Sequence, residues 1–170
     1  MKKLILLFSM SLIFNSCINS TNDCVVKSNG FTKNQGQTIM MGSQSTVDIF
    51  KEIDKAWADR DYEALKTFIS DNAELEFEDG QIAKNGEEFT AILESKYQES
   101  LSDENKEWAW VNTYAFAIKP SKPEGSNFDN NRGEWVTAGF EGSVGFYMEW
   151  YQIENGKLLK WSQTKRSQSK

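Results

Sequence analysis

Histidine is absent from all 170 residues. Histidine is the usual general base near neutral pH, the partner of serine and cysteine nucleophiles, and the commonest protein ligand of transition metals. Sites that depend on it are therefore excluded, and any catalysis must use carboxylates, tyrosines or lysines. The sequence also lacks a glycine-rich phosphate loop, a dinucleotide-binding fingerprint and a metal-spaced cluster of ligands. We therefore predict no cofactor and no metal site.

Basic residues are outnumbered by acidic ones, 19 to 25, which gives a formal net charge of −6. Nucleic acid is excluded as a partner because neutralising phosphates requires clustered Lys and Arg. Hydrophobic residues make up 39% and aromatic residues 13% of the chain. At this length, that is enough apolar material for one domain with its own core.

Cysteine occurs only twice, at Cys17 and Cys24, so no disulfide framework holds the fold together. The N-terminal stretch "MKKLILLFSMSLIFNSC" has a positive start and an apolar run too short to span a bilayer, which is typical of an export signal. Its end resembles the lipobox of bacterial lipoproteins, although Phe14 stands where leucine is commonest. The resemblance implies a signal peptide over residues 1–16 and a lipid on Cys17. The alternative is a secretory signal with an incidental cysteine, and the role of Cys24 stays open.

Residues 17–45 are rich in Asn, Ser, Thr, Gln and Gly, a composition that favours a flexible tether. Together with the lipid, such a tether predicts a protein anchored in the bacterial cell envelope, at the outer membrane in preference to the inner one.

Globular patterning begins near Thr46 and continues to residue 170. Helical spacing predicts a first helix capped by Ser45, a second capped by Asp61, and a third that opens at Asn85 or Gly86. Alternation predicts one strand in "AELEFEDG" and four more at residues 107–118, 133–141, 144–154 and 157–164. Helices followed by a run of antiparallel strands predict an α+β fold with the helices packed on one face of a curved sheet.

Three stretches, at residues 50–68, 73–89 and 147–161, resemble the nuclear transport factor 2-like, or SnoaL-like, superfamily in order and spacing. They include "DYEAL", "FEDG" and "ENGKLLKW", and the resemblance covers residues 46–165. It implies a cone-shaped, strongly curved antiparallel sheet with the N-terminal helices on its concave face. In catalytic members, the resemblance implies acidic or histidine groups at the positions of Phe77 and Met148, both apolar here. A shift of one residue would bring in Glu76, Glu78 or Glu149.

Asn155-Gly156 favours a two-residue type I′ hairpin. Continued without interruption, that register places Glu149 opposite Ser162, on a water-exposed face shared with Tyr147, Tyr151, Ile153 and Lys160. We therefore expect Glu149 to be a surface carboxylate. The opposite, drier face is expected to line the pocket. The predicted ligand-binding residues are Phe77, Trp110, Phe146, Met148, Trp150 and Trp161, and no catalytic residue is predicted.

These patterns favour a lipid-anchored domain that binds a small apolar or aromatic molecule or acts as an interaction module, without catalysis. A homodimer is predicted through the outer face of the sheet, on which Tyr147, Tyr151 and Ile153 are expected. Two alternatives stay open. One is a carboxylate-dependent isomerase, dehydratase or cyclase, and the other is a structural envelope protein whose cone interior is filled by its own side chains.

Overall fold

The computed structural model describes residues 30, 37–104, 107–121 and 132–167. The predicted signal peptide, Cys17 and Cys24 lie outside these residues. No helix within the described ranges combines the length and the apolarity needed to cross a membrane. The elements in chain order are β1 (Ile39–Met41), α1 (Gln44–Ala58), α2 (Tyr62–Phe68), β2 (Ile69–Glu76), β3 (Ile82–Ala83), α3 (Gly86–Leu101), β4 (Trp110–Pro120), β5 (Glu134–Gly142), β6 (Gly145–Glu154) and β7 (Lys157–Ser167).

One sheet dominates the described residues, with the strand order β1-β4-β5-β6-β7-β2-β3. Its neighbours are antiparallel except for β2 and β7, which run parallel. Helix α1 packs against β4 and β5, and helix α3 packs against β2 and β3, so the helices cover one face. We call this covered side the inner face and the opposite side the outer face. The predicted α+β fold is confirmed.

Side-chain caps fix the start of each helix. The Asp61 carboxylate accepts a hydrogen bond from Ala64 N (3.1 Å), as predicted, and the Asn85 amide oxygen accepts one from Glu88 N (2.9 Å), so of the two predicted starts of α3 Asn85 is the cap and Gly86 the first helical residue. The predicted cap of α1 is wrong by two residues, because the Ser43 hydroxyl, and not that of Ser45, accepts from a backbone amide of the first turn.

The segment before Thr46 belongs to the folded domain from residue 37 onward. Strand β1 pairs with β4, and both the amide and the hydroxyl of Ser43 donate to Glu134 Oε2 on β5, at 2.6 and 2.9 Å. Thr46 donates to the same oxygen. Backbone pairing and one carboxylate hold this segment, and apolar burial contributes little. The domain start predicted near Thr46 is therefore too late, because the tether-like composition gave no sign of this pairing.

The hairpin between β6 and β7 has the predicted two-residue turn. Asn155 and Gly156 adopt φ of 51° and 78°, and Glu154 faces Lys157 across it. The register then shifts between Gln152 and Ile153, so Tyr151 faces Trp161 and Glu149 faces Gln163. The predicted pairing of Glu149 with Ser162 is wrong because this bulge inserts one extra residue into β7.

The predicted faces of β6 are reversed. Tyr151 is fully buried on the inner face, where the Phe50 ring of α1 meets it edge-on with centroids 4.9 Å apart. Glu149 lies on the same face and is 5% exposed, so the expectation of a surface carboxylate is wrong. Ile153 is buried there too, and Tyr147 is half-buried. These residues therefore cannot form the outer surface on which the predicted dimer was based.

Candidate functional site

The inner face does not close completely, and a cavity of about 220 Å³ lies between α1, α3 and strands β4 to β7. Aromatic side chains supply most of its apolar wall: Trp57, Phe77, Trp108, Trp110, Phe140 and Tyr147. The ring of Trp110 meets the ring of Trp57 at 71° and that of Trp108 at 74°, with centroids 6.0 and 5.7 Å apart. Three indole rings at steep angles therefore form adjoining walls.

Glu149 projects from β6 into the wall of this cavity and is held by three neutral donors. Its Oε2 accepts hydrogen bonds from the Tyr151 hydroxyl and from Trp161 Nε1, the latter at 3.0 Å. Its Oε1 accepts one from Gln163 Nε2 at 2.6 Å. The shifted register brings Trp161 and Gln163 opposite Tyr151 and Glu149, so the bulge in β7 assembles this network.

Burial dominates the electrostatics of Glu149. Loss of water raises its pKa from 4.5 to about 7, even though the three hydrogen bonds act in the opposite direction. The nearby charge of Asp54 adds to the rise. No cation among the described residues lies within ion-pair distance of Glu149 to lower its pKa again.

Asp54 is a further carboxylate of the cavity wall and, like Glu149, has a pKa raised by burial. It projects from α1, and its Oδ1 accepts a hydrogen bond from Trp110 Nε1 at 2.9 Å. Burial raises the pKa of Asp54, and the bond from Trp110 partly offsets that rise. Its hydrogen-bond partner is this neutral indole, and Asp54, like Glu149, lacks a cationic partner within the described part of the chain.

Two indole donors of the wall have no acceptor. The Nε1 atoms of Trp57 and Trp108 are buried and make no hydrogen bond within the described residues. Buried N–H groups are normally paired, so these two donors are exceptions in residues that line the cavity.

Both lysines of the cavity wall, Lys96 and Lys165, already contact other side chains. Lys96 of α3 bonds Asp79 at 2.6 Å and stands 5.1 Å from the centre of the Phe77 ring. Lys165 of β7 is exposed and stands 5.4 Å from the centre of the Tyr147 ring. No group of three or more Asp, Glu, Cys or His side chains in the described ranges could hold a metal ion.

The predicted ligand-binding residues divide into three groups. Phe77 and Trp110 line the cavity. Trp161 is 1% exposed and lies behind the wall, where it supports Glu149. The other three, Phe146, Met148 and Trp150, alternate with the inner residues of β6 and lie on the outer face, away from the cavity. The unforeseen bulge and the reversed faces account for this misplacement.

The sequence patterns did not identify two polar residues of the site, Asp54 and Gln163. Asp54 lies four residues after Phe50 and three before Trp57, so it sits on the apolar stripe of α1, and a carboxylate in that position was the available signal. Gln163 gave no such signal, because its place beside Glu149 depends on the bulge. Of the two neighbouring residues Met148 and Glu149, the structure places Glu149 at the cavity and Met148 on the outer face.

No protein-family profile matches the sequence, and no curated protein matches it either. Solved structures do match. A cystatin-like fold protein from Burkholderia xenovorans superposes with a TM-score of 0.52 at 10% identity, over 77% of this chain and 99% of the other. A protein of unknown function with a cystatin-like fold from Nostoc punctiforme gives 0.52 at 13% identity, over 75% and 96%. A candidate ketosteroid isomerase from Kribbella flavida gives 0.51 at 7% identity, over 77% and 84%. At such identities the likeness establishes the fold alone.

Proposed function

From the premise that the domain has the cystatin-like, nuclear transport factor 2-like fold, we propose that it catalyses proton transfer on a small apolar or aromatic molecule. Glu149 is the acid–base group in this proposal. The observation that carries it is a buried carboxylate in the cavity wall whose pKa is about 7. A general base or acid works best when its pKa lies near the operating pH, and burial provides that match here.

Glu149 can both accept and return a proton. Its Oε1 receives only the Gln163 bond among the described residues, so a lone pair remains for a proton taken from a substrate carbon. The Tyr151 and Trp161 bonds to Oε2 fix the orientation of the carboxylate. Proton removal followed by return to another atom is the step that isomerases, dehydratases and cyclases of the carboxylate-dependent type share.

The charge that such a step creates needs a partner. When a proton leaves a carbon next to a carbonyl group, negative charge develops on the carbonyl oxygen. Trp57 and Trp108 line the same cavity, and their indole donors, which have no partner among the described residues, are assigned to that oxygen in this proposal. Asp54, held by Trp110, is placed to exchange a second proton.

Ligand binding without chemistry is the second candidate, and the aromatic wall favours it. Rings of Trp, Phe and Tyr hold an apolar molecule by burial and stacking and move no proton. The two candidates differ in what Glu149 contributes, because a pure binding protein needs its shape and a catalyst needs its proton.

Two measurements test the proposal. Carbon-detected NMR of glutamate-labelled protein should show one carboxyl group titrating near pH 7, and Glu149→Gln should remove that signal. In deuterated water, a panel of small cyclic and aromatic ketones should include compounds that exchange the hydrogens next to the carbonyl. Loss of one general base should slow that exchange by about 10²–10⁴-fold in Glu149→Gln.

Glu141→Gln is the matched control, because Glu141 is an exposed glutamate of the neighbouring strand β5. It should titrate and exchange like the wild type. An ordinary, acidic midpoint for Glu149 would contradict the proposal. Exchange that persists at the wild-type rate in Glu149→Gln would do the same and would leave ligand binding as the better function.

We further propose, from the sequence, that the domain is anchored through a lipid on Cys17 in the cell envelope. The motif at the end of the signal-like stretch supports this proposal, and Cys17 itself lies outside the described residues. Cys17→Ser should abolish membrane fractionation. Mass spectrometry that finds an unmodified Cys17, or cleavage elsewhere without a lipid, would contradict it.

A further inference from the structure

Two lysine ammonium groups of the protein contact aromatic rings that line the cavity. The ammonium groups of Lys96 and Lys165 stand 5.1 and 5.4 Å from the ring centres of Phe77 and Tyr147. Distances below about 6 Å are those of cation–π contacts. The rings that line this cavity therefore offer faces that attract positive charge.

Charge on the cavity wall is predominantly negative. Its acidic side chains are Asp54, Glu78, Glu99, Glu107 and Glu149, and its basic ones are Lys96 and Lys165. Lys96 is already engaged by Asp79 and Glu78, at 2.6 and 4.0 Å. The wall therefore carries a surplus of carboxylates over ammonium groups, and an anionic ligand would be repelled.

The two most buried carboxylates have only neutral partners. Asp54 receives the Trp110 indole, and Glu149 receives a phenol, an indole and an amide. Removing a carboxylate from water without a cation is costly, and a positively charged ligand would offset that cost at both groups. The cavity thus combines aromatic faces and uncompensated carboxylates, the combination that recognises ammonium groups.

We infer that the cavity takes an organic cation, a small molecule with a protonated amine or quaternary ammonium group that lies against the indole rings of Trp57, Trp108 and Trp110 and faces Asp54 and Glu149. This inference rests on the proposed function, for which it names the substrate class. An apolar remainder of such a molecule would contact Phe77 and Phe140, and a carbonyl or hydroxyl oxygen would accept from the unpartnered indole donors.

Choline and its uncharged isostere, in which a carbon atom replaces the quaternary nitrogen, form a matched pair of probes. Binding to the full chain is followed by tryptophan fluorescence and by calorimetry. We expect choline to bind at least about tenfold more tightly than the isostere, the ratio that a desolvated cation–π site produces. The carboxylate tert-butylacetate serves as the anionic probe and should not bind.

Variants on helix α1 and strand β4 show which side chains cause the preference for choline. Asp54→Asn should weaken choline about tenfold and leave the isostere unchanged, since only the cation loses a charged partner. Asp48→Asn removes an exposed carboxylate of the same helix and should change neither affinity. Trp110→Leu, which keeps apolar volume and removes the ring, should weaken choline more than the isostere.

Equal affinity of choline and the isostere, tighter binding of tert-butylacetate, or no choline binding at tens of millimolar would overturn the inference. The titration of Glu149, measured in the same ligand-free samples, separates this failure from failure of the proposed function. A midpoint near pH 7 without any preference for cations would contradict the cation site and leave the proposed proton transfer intact. An acidic midpoint with tight choline binding would do the reverse.

Discussion

The two faces of strand β6 have the opposite of the usual polarity, since a carboxylate is buried and an apolar side chain is exposed. Its inner face buries a carboxylate, Glu149, beside Tyr151, whereas its outer face exposes the apolar side chain of Met148. Across the sheet, Met148 neighbours Gly139 and, beyond it, Tyr114. Tyr114, Phe116 and Met148 are 39–44% exposed, so aromatic and apolar groups face water while a charge-bearing group lies inside.

The contrast teaches that each face departs from the simple rule of apolar inside and polar outside. The inner face accepts a carboxylate because three donors surround it and a cavity adjoins it. The outer face keeps apolar groups exposed, and exposed apolar patches are common at surfaces that contact another molecule. We therefore propose different roles for the two departures, proton transfer or ligand binding inside and association outside.

Two tryptophans on opposite faces allow the largest test of this contrast. Trp161→Ala should destabilise the domain by about 3–5 kcal/mol, because a fully buried ring and a donor to Glu149 are both lost. Trp150→Ala should cost less than about 2 kcal/mol, since Trp150 is only half-buried on the outer face. Urea unfolding with unchanged slopes measures both. Equal losses would mean that the outer face is packed as tightly as the inner one.

The pH dependence of stability provides the next largest effect. Because the pKa of Glu149 rises from 4.5 to about 7 on folding, the folded state holds this proton more tightly than the unfolded state. Its contribution to stability is fully present below pH 4.5 and is lost as the pH rises through 7. Between pH 5 and pH 8 the loss should amount to about 2.5 kcal/mol.

Urea unfolding at both pH values measures this slope. Glu149→Gln should remove most of it, and the outer-face control Glu141→Gln should keep it. The comparison of the two variants isolates Glu149 from Asp54, whose raised pKa acts in the same direction. A slope that is the same in all three proteins would show that Glu149 is ionised in the folded state.

The smallest effect on stability, with the clearest effect on assembly, is expected on the outer face. We expect two copies to pair through Tyr114, Phe116 and Met148. Phe116→Arg should yield a monomer by light scattering while changing stability by less than about 0.5 kcal/mol. Leu101→Arg at the end of α3 is the control, because Leu101 is 63% exposed but lies on a helix of the other side. A monomeric wild type at tens of micromolar would remove the outer face as an interface.

Local features of the fold could be predicted because their causes are local. Asp61 and Asn85 cap helices through their own side chains, and Asn155-Gly156 adopts its turn wherever two strands flank it. The order of the three helices, the strands β4 to β7 and the α+β class followed from periodicity. Strand β1 was missed because three residues that pair with β4 leave no periodic signal.

The faces of β6 could not be predicted from alternation, because aromatic residues occupy both of them in "GFYMEWYQIE". Only helix α1, which covers one side with Phe50 and Trp57, decides which face is inner. The bulge in β7 then decides which residues stand opposite Glu149. By hydrophobicity alone, the face without a carboxylate was expected to be the inner one. Packing against α1 instead buries the face that carries Glu149.

The sequence by itself determined the class of fold, the absence of histidine chemistry and the position of every helix cap except that of α1, since these depend on residue identity and short-range contacts. Tertiary structure alone decided that Glu149 is buried, that Asp54 shares its cavity and that Met148 faces water. The pKa of a carboxylate depends on the water and charges around it, and those neighbours come from strands and helices far apart in the chain. For that reason the sequence pattern predicts Glu149 as a surface residue, whereas the fold makes it a buried carboxylate with a raised pKa.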